Sequence, residues 1–120
     1  MRPPRVLDSS ALIDLFGGHP ALLTMLTQAE NGELQLMLPT AALADAEDRL
    51  QAGSGGWEPL LLTSGFTALP LTEHAAIEVG QLPGKLATRH AVHEAVALRA
   101  TIVTRKPGAY KGQRVSLMVV

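Results

Sequence analysis

Apolar positions along this chain come in short blocks, and two spacings alternate. Arg5–Leu7, Leu34–Leu38, Phe66–Pro70, Ala100–Thr104 and Val115–Val120 are brief runs bounded by turn-forming residues, the pattern of short strands. Between them, apolar residues recur at helical spacing. Ser9 or Ser10 is placed to cap a helix through Leu15, stopped by Gly17-Gly18. Pro20 opens a second helix carrying Leu22, Leu23, Leu26 and Ala29, which ends at Asn31-Gly32. Pro39-Thr40 begin a third helix that runs to about Gln51. Trp57 to Thr63 is a weaker helical stretch, Thr72 caps a helix through Val79, and Thr88 to Arg99 is the strongest helical segment. Gly53-Ser54-Gly55-Gly56 reads as a flexible loop, too short to separate domains, while Leu82-Pro83-Gly84 and Pro107–Tyr110 read as turns. Strands alternating with helices predict one α/β domain over residues 1–120, with a mainly parallel sheet covered on both faces.

Composition narrows the class. A chain of 120 residues is long enough for one buried core. No stretch approaches the roughly 20 apolar residues that span a bilayer, and Met1-Arg2-Pro3-Pro4-Arg5 leads into too short an apolar run for a signal peptide. With no cysteine there is neither a disulfide framework nor a thiolate metal site, and a cytoplasmic protein is expected. The net charge of −1 hides an asymmetry. Residues 1–84 hold ten acids against Arg2, Arg5 and Arg49, about −7, while residues 85–120 hold seven basic residues against Glu94, about +6. Either the basic third meets a polyanion, or the two parts neutralise each other across the surface; the second is the commoner arrangement.

Candidate chemistry follows from topology. In an open parallel sheet, ligands bind beyond the carboxyl ends of the strands. Asp8 follows the first strand, Thr104-Arg105-Lys106 follows the fourth, and Asp45 stands in the helix after the second. One strand tip thus presents an acid and another a base.

These segments resemble the PIN domain, the ribonuclease fold of VapC-type toxins, over nearly the whole chain. Val6-Leu7-Asp8-Ser9-Ser10-Ala11-Leu12-Ile13 is similar to that family's opening strand, first metal acid and first helix. Leu38-Pro39-Thr40-Ala41-Ala42-Leu43-Ala44-Asp45 resembles its second-acid motif, where a Glu is usual. His90 to Leu98 resembles the helix that opens with the third acid, and Ala100 to Lys106 the strand leading to a Thr-x-Asp fourth acid. The resemblance implies a PIN-like three-layer sandwich. It also implies Mg²⁺ or Mn²⁺ held by clustered carboxylates, since hard cations take oxygen ligands and activate water for phosphodiester hydrolysis.

Carried across, the site residues are Asp8, Asp45, His90 and Lys106, with Asp8 and Asp45 as metal ligands and Ser10 and Thr104 as supporting hydroxyls. His90 and Lys106 stand where the pattern has acids. Replacing an acid by lysine swings the local charge by two, and an ammonium about 4 Å from a carboxylate gains on the order of 4 kcal/mol at an effective dielectric of 20. Lys106 is therefore expected to stand in for the metal, paired with Asp8 and Asp45; the plainer place for it is solvent. The expectation is a catalytically impaired pseudo-nuclease acting through RNA or protein binding; the alternative is an active Mg²⁺/Mn²⁺-dependent endoribonuclease toxin. The resemblance further implies a homodimer and a small antitoxin as partner; the short apolar runs lead one to expect no membrane association.

Other signals are weaker. His90-x-x-His93-Glu94 matches neither His-Glu-x-x-His nor its inverted form, so a zinc hydrolase has little support. Glu47, Asp48 and Asp14 read as solvated surface, with Glu47 a rival for the second-acid position; His19 and His74 read as surface residues. The glycine clusters lack the rest of a nucleotide-binding motif. Four aromatic residues leave little for base stacking.

Overall fold

The computed structural model describes residues 3–120; Met1 and Arg2, counted in the N-terminal reading above, lie outside the described residues. Five strands, β1 (Pro4–Leu7), β2 (Gln35–Pro39), β3 (Phe66–Leu69), β4 (Thr101–Thr104) and β5 (Ser116–Val119), form one sheet. Its order is β3-β2-β1-β4-β5 and every neighbouring pair is parallel. Among the described residues six helices connect them: α1 (Ser9–Phe16), α2 (Pro20–Glu30), α3 (Thr40–Leu50), α4 (Gly53–Leu61), α5 (Glu73–Gly80) and α6 (Leu86–Leu98). A single 3₁₀ turn, Pro107–Tyr110, lies between β4 and β5.

The strands read as near-continuous apolar runs because both sheet faces are covered. Leu7, Leu36, Leu38 and Val103 face one core with Leu12, Leu15, Leu22 and Trp57 from α1, α2 and α4. Val6, Met37 and Ile102 face the other, with Ala91, Val92 and Ala95 of α6. The three-layer α/β sandwich expected from the sequence is the observed architecture. Helix α3 packs against both α1 and α6, so Asp45 is held between them near the sheet edge. Gly65 opens β3 at φ 84°, and a Cβ there would run into the Ala29 carbonyl of α2, so only glycine fits this close approach.

Three local expectations are corrected. The Gly53–Gly56 segment is not a loop but the first turn of α4. Its glycines are poor helix formers, but Glu47 compensates: its carboxylate accepts the backbone N–H groups of Ala52 and Gly53 and the indole N–H of Trp57 at 2.9 Å. Trp57 is itself buried and anchors the helix to the core. The Trp57 indole, opposed by desolvation and aided by the two backbone donors, holds the Glu47 carboxyl below its ordinary pKa. Glu47 is therefore a latch between α3 and α4 rather than a solvated or metal-binding acid. The cap of α1 is Asp8, not Ser9 or Ser10: its Oδ1 accepts the Ala11 N–H at 3.0 Å.

Candidate ligand cleft

The order β3-β2-β1-β4-β5 reverses direction between β1 and β4, and the crevice at such a switch point is where open α/β sheets bind ligands. Register pairs Leu7 with Val103, so Asp8 and Thr104 emerge side by side. Beyond them lies a cleft of about 560 Å³. Asp8, Ser10, Asp45 and Lys106 all line it, as the sequence led one to expect.

A network of hydroxyls shapes its floor. Ser10 Oγ donates to Asp8 Oδ1 at 2.7 Å and accepts the Arg105 N–H at 2.9 Å. Thr104, fully buried, accepts the Lys106 N–H at 2.9 Å and lies 3.3 Å from Ser10 Oγ. Ser10 and Thr104 thus fix the backbone of the segment that carries Arg105 and Lys106. They are supporting hydroxyls in that sense.

Asp8 has little left to offer a ligand. Besides Ser10 and the Ala11 N–H on Oδ1, its Oδ2 accepts the Tyr110 hydroxyl at 2.7 Å. Tyr110 is buried, and burial together with the Asp8 charge pushes its hydroxyl far above the ordinary tyrosine pKa, so it remains a donor. This contact ties the 3₁₀ turn after β4 to the end of β1. Tyr110→Phe should leave a buried carboxylate oxygen without its donor, lowering stability by about 1.5–3 kcal/mol with an unchanged m-value in urea. An unchanged midpoint would show that water replaces the hydroxyl.

His90 is not in the cleft. It is fully buried and faces α3, where Nδ1 accepts the Ala41 N–H at 3.2 Å. The N-cap of α3 is Pro39, which offers no side-chain acceptor, so His90 supplies one of the missing partners of that helix end. With Nδ1 accepting, the ring proton belongs on Nε2, which lies 3.1 Å from Glu94 Oε1. Desolvation lowers the His90 pKa from its ordinary value, and Glu94 offsets part of that shift. His93 turns elsewhere, with Nδ1 3.1 Å from Glu78 on α5, so His90 and His93 do not converge on one point.

The α6 residues that do line the cleft are Ala87 and Thr88, and the polar one, Thr88, stands two positions before His90. At about 100° per residue the two positions point to nearly opposite sides of the helix. The sequence pointed to His90 rather than Thr88 because the resemblance began at His90, whereas the helix itself begins at Leu86. The usable signal was that His90, Ala91, Val92 and Ala95 form the buried stripe, leaving Thr88 with Lys85 on the other side.

Lys106 lines the cleft, but no ion pair within 4 Å joins it to Asp8 or Asp45 among the described residues. The expected three-way pairing is corrected: Asp8 is already satisfied by Ser10, Ala11 and Tyr110. The two charge-biased parts of the chain meet in direct contact at few points. Among the described residues, Arg105–Asp14 is the one Lys/Arg–carboxylate pair. Four cations (Arg49, Lys85, Arg105 and Lys106) therefore line the cleft with three carboxylates, Asp8, Asp14 and Asp45.

This donor set does not suit a Mg²⁺ or Mn²⁺ ion. Among the described residues, no three His, Asp or Glu side chains come together as a metal site. Asp14 is taken by Arg105, Asp8 is capped by three donors, and the ammonium groups present oppose a divalent cation.

No family profile matches the chain, and no curated protein matches it. Among solved structures, it is similar to VapBC2 from Rickettsia felis bound to a DNA fragment from its promoter. The TM-score is 0.69 at 13% sequence identity, covering 96% of this chain and 97% of that one. The fold is PIN-like. At that identity the likeness speaks for the arrangement of the chain and not for its chemistry. Among the described residues no helix is long and apolar enough to cross a membrane.

Proposed function

We propose that this chain is a VapC-like PIN-fold protein that acts by binding a macromolecular partner, RNA or protein, and cleaves phosphodiesters little or not at all. The observation that carries the reading is the charge of the cleft. Where a metal-dependent nuclease needs converging carboxylates, this cleft has Asp45, an internally satisfied Asp8, and Lys85 and Lys106 beside them. A site built this way attracts anions and repels the divalent cation that would activate water.

The likeness to an antitoxin–toxin pair supports an antitoxin-type partner, and a homodimer belongs to the same proposal. The competing reading is an active, weak endoribonuclease using Asp8 and Asp45 with a divalent cation. Incubating the protein with structured RNA in Mg²⁺ or Mn²⁺ separates the two. The binding reading expects cleavage no faster than in an Asp8→Asn variant. Cleavage that depends on metal and is lost in Asp8→Asn would overturn it.

A further inference from the structure

We infer that the cleft beyond β1 and β4 receives a carboxylate-bearing peptide segment of a partner protein. The inference rests on the binding role proposed above and names the chemistry of the partner.

Three unpaired cations converge there from three elements. Arg49 comes from α3, Lys85 from the N-terminus of α6, and Lys106 from the segment after β4. None has an ion-pair partner within 4 Å among the described residues, whereas the acids opposite them are largely spent. Asp14 is tied to Arg105 and Asp8 accepts three internal hydrogen bonds, which leaves half-buried Asp45. The excess is cationic.

Helix α6 adds to it. Its N-cap is Lys85, which provides no side-chain acceptor, and Gly84, Lys85, Ala87 and Thr88 place that end of the helix at the cleft. Free N–H groups and the positive end of a 13-residue helix favour an oxyanion there. Lysine ammonium, guanidinium and helix N–H groups together form a donor set for isolated carboxylates.

The walls favour a peptide over a nucleic acid. Among the described residues no aromatic side chain lines the cleft, so bases have nothing to stack on. Ile13, Ala87 and Ala109 give it apolar surface between the charges. Asp45 opposes an unbroken run of phosphates, whereas an acidic and apolar peptide can place its carboxylates singly on the cations and its side chains on the walls.

The test is fluorescence anisotropy with three labelled probes: a peptide of alternating Glu and Leu, the same peptide with Arg for Glu, and a single-stranded oligouridine. The Glu-Leu peptide should bind at low salt, and Lys85→Glu with Lys106→Glu should weaken it at least about ten-fold. Asp45→Asn should strengthen it, a change in the direction that misfolding does not produce. Absence of Glu-Leu binding overturns the inference, as does binding indifferent to the lysine reversals. Preference for the Arg peptide, or oligouridine binding in place of the Glu-Leu peptide, overturns it too. These outcomes leave the non-cleaving role standing; metal-dependent RNA cleavage by the unmodified protein would remove that role whichever probe binds.

Discussion

Thr88→Asp combined with Lys106→Asp should turn the cleft into a Mn²⁺ site, measurable by calorimetry against an unmodified protein expected to give no saturable heat. Both positions line the cleft with Asp8, Asp14 and Asp45, so the double variant raises the carboxylates around that space from three to five. Removing the ammonium matters as much as adding the acids. A unit positive charge about 4 Å from a bound ion costs on the order of 4 kcal/mol per ionic charge at an effective dielectric of 20, before screening. The expected gain in Mn²⁺ affinity is at least about a hundred-fold, the smaller part of what those terms allow. Neither single substitution should reach it, because each leaves either the lysine or a missing ligand. A folded double variant that stays blind to Mn²⁺ would show that Thr88 and Lys106 do not face Asp8 and Asp45 closely enough to share an ion.

The second large effect concerns stability. His90→Ala should destabilise the fold by about 2–4 kcal/mol, combining a buried cavity with loss of the acceptor for the Ala41 N–H. His90→Asp should cost at least as much, since it sets a carboxylate in that buried position near Glu94. Urea unfolding measures both; a loss under about 0.5 kcal/mol for His90→Ala would place the ring outside the core.

His90 also gives the fold a pH dependence. Its folded pKa lies below the unfolded value near 6.5 because burial favours the neutral ring. In the window below 6.5 the unfolded chain binds more protons at this position, so stability is full above that pH and falls as pH drops through it. The slope in that window should shrink in His90→Ala.

Much of the fold was legible because local and tertiary signals agree in it. Short apolar runs bounded by turn residues correspond to β1 to β5, and Pro20, Thr72 and Gly17 mark helix ends where the residues themselves impose them. The miss at Gly53–Gly56 has a tertiary origin, since the donors of that turn are met by Glu47 and its anchor is Trp57. No short-range pattern contains that information.

The site was half legible. Asp8, Asp45 and Lys106 are placed by strand ends and Ser10 by the resemblance, and all four line the cleft. His90, expected at the cleft, lies in the core, while Thr88 two positions earlier lines the cleft, because two steps along a helix exchange one side for the other. The Lys106 pairing failed for another reason. Tyr110 is 102 residues from Asp8 in sequence and satisfies its outer oxygen, a contact that spacing cannot foresee.

The most direct measurement is a calorimetric titration of the unmodified protein with Mn²⁺, run beside Asp8→Asn and paired with an RNA cleavage assay. A cleft that binds without hydrolysing predicts no saturable heat up to millimolar metal and identical traces for the two proteins. Saturable binding at millimolar concentration or tighter, lost in Asp8→Asn together with RNA cleavage, would contradict it.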